Sequence, residues 1–573
     1  MEYKPQNVIC QNCKTQFTIE PEDFKFYEKM KVPAPTFCPE CRRQRRLSWR
    51  NEKTLYKRTC DLCKNKFISM YHTNVVFPVY CRECWYSDKW DITKYSKEYD
   101  FSKSFFQQFK ELSAIVPRVG IWQRNVINCP YSNMCAESKN VYLSISVILG
   151  SENVFYSRTV DKSLNIFDSF NIRECENCYE NIEVEKNYNS QHLLLSKNCI
   201  DSYFLVDCVN CSNCILSYNL RNKKFCIRNK QYSEENYLKE LEKLNLGNRK
   251  FREVAIKGFS DICKKAIYRY TNTFKSLNSI GNNLLNVKNC VECFDVYDSE
   301  NCKYSYRTIS IKDCMDTDLA LTSELMYEYN TGAKNDSNVK FSFSAIEQVR
   351  NSEYTDSCMS CSNIFGCISL RNKDYAILNK TYSKEEYESL VEKIKKHMND
   401  MPYIDKKERI YKYGEYFPIE LSRFAYNETA SQDYFPLTKE QIIEEGYNWF
   451  EPEIKHYEIT IKGTDIPEDI KEVDEKILSE VLGCIHEEKC QHQCLKVFRI
   501  TKDELQFYKK YNIPIPNICS NCRHYNKFAK LLPLKLWHRR CMKEGCQNEF
   551  ETSYAPERPE IVYCERCYQQ EVY

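Results

Sequence analysis

The chain has 573 residues, too many for a single core, with 42% hydrophobic and 28% charged residues, ordinary values for a folded protein. Only 12 residues are Gly, which all but excludes glycine-rich phosphate loops, and 34 cysteines in a chain this long read as metal ligands rather than a disulfide framework. The formal charge of +3 gives no general argument for nucleic acid, because four zinc ions each held by four thiolates would bring it to about −5.

The N-terminus, MEYKPQNVIC, lacks the apolar core of a signal peptide, and no stretch of 18 apolar residues occurs. A cytoplasmic protein without a membrane span is expected. Residues 1–100 form a first module, with Cys10, Cys13, Cys38 and Cys41 followed by Cys60, Cys63, Cys81 and Cys84. Zinc takes four soft donors in a tetrahedron, and two Cys-x2-Cys turns supply two each. Two sites follow from sequential pairing, while interleaved pairing also satisfies the spacing. Pro21–Met30 reads as a short helix with proline at its start and acids in its first turn.

After Cys41 come eight basic residues, Arg42, Arg43, Arg45, Arg46, Arg50, Lys53, Lys57 and Arg58, against the single acid Glu52. On a helix, Arg42, Arg46 and Arg50 would share one face. Three uses fit: contact with nucleic-acid phosphates, neutralisation of the anionic zinc clusters, or an acidic protein partner.

The Cys-x2-Cys pair, the FKFY segment and CPECRRQRR together resemble the zinc-ribbon family of treble-clef type. With RNEKTLYKR, SDKWD and ETSYAPERPEIVYCERCY, the chain resembles zinc-ribbon proteins of small-genome candidate-phylum bacteria over most of its length. The resemblance implies bound zinc and this module arrangement, and it carries no catalytic residue.

Through the middle of the chain, Asn128, Asn140, Asn153, Asn165, Asn177, Asn187, Asn198 and Asn210 recur at intervals of 10 to 13, and Asn289, Asn301 and Asp313 at 12. Short strands alternating with Asn-bearing turns fit a β-solenoid with stacked Asn ladders; an antiparallel β-sandwich or meander is the alternative. Residues 208–237 match 358–387 without a gap at an offset of 150, each copy ending in a helix capped by Ser233 or Ser383. A duplicated body is expected, with halves at 101–245 and 289–400 and a mostly helical linker at 246–288. Its cysteines read as small buried hydrophobes, because Cys214 and Cys226 are matched by Ile364 and Ala376, with a further metal site among them as the alternative. Arg221 and Arg371 are expected to anchor the closing helices.

Residues 401–483 read as a connector with a capping box at Thr438 and Gln441 and a charged helix near 465–482. The module at 484–573 repeats the first at an offset of 481, with metal candidates Cys490, Cys494, Cys519, Cys522, Cys541, Cys546, Cys564 and Cys567. Its first pair departs from Cys-x2-Cys, and His486, Cys484 or His492 could replace Cys490. The basic residues Arg523, Lys527 and Lys530 follow Cys522.

Four closed thiolate sites leave no position for a reactive water. The sequence therefore points to a non-catalytic protein holding about four Zn²⁺ ions. Its basic helices would bind RNA or DNA, a ribosomal surface included, through Arg42, Arg43, Arg45, Arg46, Arg50, Lys53, Arg523, Lys527 and Lys530. The alternatives are a structural or protein-interaction scaffold and, behind it, a carbohydrate-active β-helix enzyme.

Overall fold

The computed structural model describes residues 3–332, 334–344, 347–451 and 457–573. Part of the expected connector, 452–456, lies outside the described residues.

A three-residue rhythm governs the body. Every third residue is left-handed, as at Asn153 (φ 56°), Tyr156 (52°), Thr159 (55°), Lys162 (48°) and Asn165 (55°). The residue after each one turns inward, so Val154, Ser157, Val160, Ser163 and Ile166 are all buried. Four triplets complete a rung, and the next rung stacks in parallel, with Val154 opposite Ile166 and Val160 opposite Ile172.

Left-handed backbone costs an L-residue about 1–2 kcal/mol, least for Asn, whose short amide bonds locally. Asn therefore gathers at one corner. From Asn128 through Asn140, Asn153 and Asn165 to Asn177, each side chain donates to the next at 2.8–3.0 Å. Inside, small polar groups close the backbone bonds that the corners leave open. Ser157 Oγ donates to the Phe155 carbonyl at 2.9 Å and accepts from the Ser169 N–H at 3.0 Å. Among the described residues, the body strands pair in parallel except at the two closing hairpins. The antiparallel sandwich or meander is therefore not formed.

The body cysteines occupy the same inward positions. Cys199, Cys208, Cys211 and Cys214 are buried, and their thiols donate to backbone carbonyls, Cys199 to Cys208 and Cys211 to Leu220, at 3.4 and 3.6 Å. They are core atoms of a narrow coil, which explains why Ile364 and Ala376 can stand in their places.

The chain divides into two compact units, each built from distant segments: Met1–Ile121 with Thr271–Glu451, and Trp122–Tyr270 with Pro452–Tyr573. The N-terminal cysteine module thus belongs with the later body, and the C-terminal module with the earlier one. In the first unit, Pro21–Met30 is helical as expected, and Lys384–Asp400 follows the body with Ser383 as its cap. Segment 401–451 lies along the module, where Ser431 donates to the Gln44 carbonyl at 2.7 Å and Phe417 packs on Trp49 at 4.9 Å.

In the second unit, Ser233 caps Glu234–Lys243 and a longer helix runs over Arg249–Lys265. The expected helical linker ends there. The strands Thr273–Leu277 and Ile280–Lys288 already belong to the rungs of the first unit. The charged helix expected near 465–482 is replaced by two 3₁₀ turns, Ile470–Glu472 and Glu475–Leu478. Asp469 and Asp474 each bond the N–H two residues ahead, which favours separate turns over a continuous helix. Among the described residues no helix is long and apolar enough to cross a membrane.

Candidate metal centres and their basic helices

Each cysteine cluster joins a β-hairpin to the start of a helix. The hairpins are Gln6–Ile9 with Gln16–Ile19, Tyr56–Thr59 with Lys66–Ser69, Leu482–Gly483 with Val497–Phe498, and Trp537–Arg540 with Glu549–Thr552. The helices begin at Cys38, Cys81, Cys519 and Cys564, each of which is the N-cap. Thiolates at these positions face the positive ends of helix dipoles. In all four clusters the N-cap N–H also donates to a sulfur of the hairpin pair, at 3.2–3.3 Å: Cys38 to Cys10, Cys81 to Cys60, Cys519 to Cys484, Cys564 to Cys541. Such bonds orient a thiolate and spread its charge.

Four clusters of four thiols result: Cys10, Cys13, Cys38, Cys41; Cys60, Cys63, Cys81, Cys84; Cys484, Cys494, Cys519, Cys522; and Cys541, Cys546, Cys564, Cys567. Pairing is sequential, not interleaved. Sulfur–sulfur separations of 3.7 Å for Cys13–Cys38, 3.8 Å for Cys63–Cys81 and 3.9 Å for Cys546–Cys564 rule out disulfides. They match the ~3.8 Å edge of a tetrahedron with Zn–S bonds of about 2.3 Å. Within one cluster, hydrogen bonds from Cys38 and Cys41 hold the Cys10 thiol far below its ordinary value, while the same contact with Cys10 pushes Cys41 up. Four thiolates this close need a cation, and the donor set suits a soft, tetrahedral one. These clusters can each hold a metal ion.

Cys490, expected as a ligand here, stands outside the third four-thiol cluster, and Cys484 occupies its place. Cys490 instead lies with His486, His492 and Cys522 in a further group of potential ligands. Among the described residues, no body cysteine joins a cluster with metal-ligand geometry.

The basic residues are mostly not where nucleic acid could reach them. The helix Pro39–Leu47 lays Arg42, Arg45 and Arg46 against the body of its own unit, all three at most 1% exposed. Arg42 Nε donates to Asp316 at 2.8 Å and Arg45 to Glu328 at 2.6 Å and Glu415 at 2.9 Å. Arg46 reaches both Asp316 and Asp318 at 3.1 Å and Glu328 at 3.4 Å. Arg43 stacks over the Tyr306 ring at 4.1 Å, and buried Arg50, beyond the helix end, pairs with Glu52. Lys53, half-buried, meets Asp433 at 2.7 Å. Burial disfavours these arginine charges, yet the facing carboxylates hold Arg42, Arg45 and Arg46 above their ordinary values.

The second unit repeats this arrangement. Arg523 pairs with Asp168 and lies over the Tyr156 ring at 4.2 Å; Lys527 reaches Asp168 at 2.9 Å and Glu180 at 3.7 Å. Arg42 and Arg523 correspond at an offset of 481, while Asp316 and Glu328 correspond to Asp168 and Glu180 at 148. The acids of each pair are 12 residues apart, one rung, so each helix grips two stacked corners. The change from 148 to the offset of 150 seen further along comes from two 13-residue rungs in the first unit, Glu324 to Ser337 to Arg350. Lys530 is the exposed member of the group, its ammonium 5.9 Å from the Phe259 ring.

The body answers with its own arginines. Arg371 lies over Trp85 and Trp90 at 4.9 and 5.1 Å, and Arg221 meets Asp207 at 3.0 Å and bonds Tyr568. Trp85 and Tyr568 each directly follow the last cysteine of their module. Arg221 and Arg371 therefore anchor cysteine modules rather than the closing helices. Neighbouring charge alone could not reveal these acids, which sit at left-handed corners of the body. Their recurrence at an offset of 148 was the available signal. Compared with known proteins, the chain matches no family model and no curated relative.

Proposed function

We propose that this is a non-catalytic, zinc-held scaffold, in which two duplicated β-solenoid halves are each clamped by a terminal zinc-ribbon module. One observation carries the reading. The basic helices that would have gripped phosphates are spent inside the protein, on Asp316, Asp318 and Glu328 in one unit and on Asp168 and Glu180 in the other. Nucleic-acid contact needs Arg42, Arg45, Arg46, Arg523 and Lys527 in water, and none of them is. Duplication is supported by matching helix residues, acids and anchoring arginines in both units. Zinc is supported by all-thiol clusters with tetrahedral edges, and four filled coordination positions favour a structural over a catalytic role.

The test is direct. Full-length, metal-loaded protein is expected to leave mixed-sequence RNA and DNA unretarded at about 50 mM salt. A complex that weakens steeply towards 200 mM would overturn the scaffold reading and restore phosphate contact.

A further inference from the structure

We propose that the third cysteine cluster is a two-metal centre, in which the Cys522 thiolate bridges an ion held by Cys484, Cys494 and Cys519 and a second ion held by His486, Cys490 and His492. The ligand atoms of each set of four, Cys522 included, lie within 4.8 Å of one another. Cys522 Sγ is 3.9 Å from Cys484 Sγ, 3.7 Å from Cys490 Sγ and 3.2 Å from His486 Nδ1. The sulfur separations match the ~3.8 Å edge of a zinc–thiolate tetrahedron, and the nitrogen lies near the ~3.6 Å expected for a mixed edge. A single ion on the four thiols would already be saturated. Three further donors would then converge on a sulfur with nothing to bind.

The loop itself points the same way. In the N-terminal module two residues separate Cys10 from Cys13; here nine separate Cys484 from Cys494. The seven added residues bring in His486, Cys490 and His492, all the donors the second ion needs. The loop is folded back rather than extended: Glu487 N–H bonds the Cys484 carbonyl at 3.1 Å, Lys489 N–H the His486 carbonyl at 2.7 Å, and Glu487, Glu488 and Gln493 are left-handed. His492 stacks on Tyr525 at 5.8 Å, and its buried Nδ1 has no hydrogen-bond partner. A buried imidazole nitrogen left unpaired is costly, and a metal ion satisfies it.

Charge favours sharing. One Zn²⁺ with four thiolates carries −2, whereas two Zn²⁺ with five thiolates and two neutral imidazoles carry −1. The bridging sulfur uses a second lone pair, and both ions stay four-coordinate. This inference does not depend on the scaffold reading, since an RNA-binding protein could carry the same centre.

Native mass spectrometry of zinc-loaded, full-length protein is expected to give five zinc ions per chain. The double variant His486→Ala/His492→Ala, altered only in the inserted loop, should hold four and keep the helical circular dichroism of the parent. Wild-type protein with four ions, or a folded double variant that keeps five, would overturn the proposal. Cadmium-113 NMR of the substituted wild-type protein tests the bridge without any variant. Two resonances coupled to each other through Cys522 are expected, and the absence of any cadmium–cadmium coupling would overturn the shared thiolate.

Discussion

The two terminal modules make the same contacts with different stakes. In the first unit, Arg42, Arg45 and Arg46 face Asp316, Asp318, Glu328 and Glu415, all buried. In the second, Arg523 and Lys527 face Asp168, with Glu180 at the margin. The position matching Asp318 is Phe170, and there Lys527 lies 5.5 Å from a ring instead of a carboxylate. Arg46 and Lys527 correspond in the same way. The comparison teaches that the basic residue follows the acids beneath it: a guanidinium fork where three carboxylates converge, an ammonium where one close carboxylate, a second at 3.7 Å and an aromatic face do.

Removing the metal should have the largest effect, because it acts on both modules at once. Structural zinc sites contribute about 10–16 kcal/mol in small zinc-finger peptides, as much as a domain's whole stability. Chelation is expected to unfold residues 1–100 and 484–573 together, read as lost helical circular dichroism and rapid proteolysis there. Protease resistance at both ends after complete metal loss would show that hairpin packing, not metal, holds the modules.

The salt-bridge comparison breaks next. Arg46→Ala takes the close partner from Asp318 in a dry site, while Asp316 keeps Arg42 and Glu328 keeps Arg45, and a buried ion pair that loses one partner costs about 3–5 kcal/mol. Lys527→Ala leaves Asp168 with Arg523 still in place and should cost less, about 2 kcal/mol. The sharper form is a cycle within the first unit. Arg46→Lys alone should destabilise, since one ammonium cannot serve three carboxylates, whereas Arg46→Lys with Asp318→Phe recreates the pairing of the second unit. Urea unfolding should show a coupling of at least about 1 kcal/mol between the two changes. Simple additivity would mean that the two positions do not sense one another.

How much of this the sequence disclosed depends on the range of the forces involved. Zinc ligation is local, so Cys10 to Cys84 announced their clusters by spacing alone. The 12-residue stacking was legible because Asn is favoured at left-handed corners. The shorter rhythm, an inward Ser, Cys or Val at every third position, was hidden beneath it. The inserted donors at 486–492 appeared as rival substitutes for one ligand, since sequence cannot show that Cys484 and Cys490 belong to different groups of potential ligands. The arginines were misread for a physical reason. Eight bases against one acid looked like surplus charge, but the carboxylates facing Arg42, Arg45 and Arg46, namely Asp316, Asp318 and Glu328, arrive from strands more than 250 residues away.

The anchoring arginines give a smaller contrast. Arg221→Ala leaves Asp207, which is already pushed up by burial, without its guanidinium, and about 3 kcal/mol should be lost. Arg371 rests on the faces of Trp85 and Trp90, a cation–π contact worth about 1 kcal/mol. Thermal unfolding of the two variants should preserve that order. Equal losses would indicate that Asp207 keeps enough support from Asn219 and Tyr568 to stand without Arg221.

The last contrast concerns one atom inside the coils. In the second unit, Asn181 Oδ1 accepts the Leu193 N–H at 2.8 Å and its amide donates to the Ser190 carbonyl at 3.2 Å, a neutral bridge between rungs. In the first unit, Asp336 does the same work, accepting the Val349 N–H at 2.8 Å and the Tyr329 hydroxyl at 3.2 Å. Burial pushes its carboxyl up to about 7 against an ordinary 3.8, only partly offset by those two donors. The folded state therefore binds more protons than the unfolded state between about pH 4 and 7, so this residue's contribution is complete below pH 4 and fades as pH rises through 7. Asp336→Asn installs the neutral bridge and removes that slope. Denaturant unfolding at pH 5 should scarcely distinguish variant from parent, whereas at pH 8 the variant should be more stable by about 1–2 kcal/mol. A gain of equal size at both pH values would mean that packing, and not the proton, sets the difference between Asp336 and Asn181.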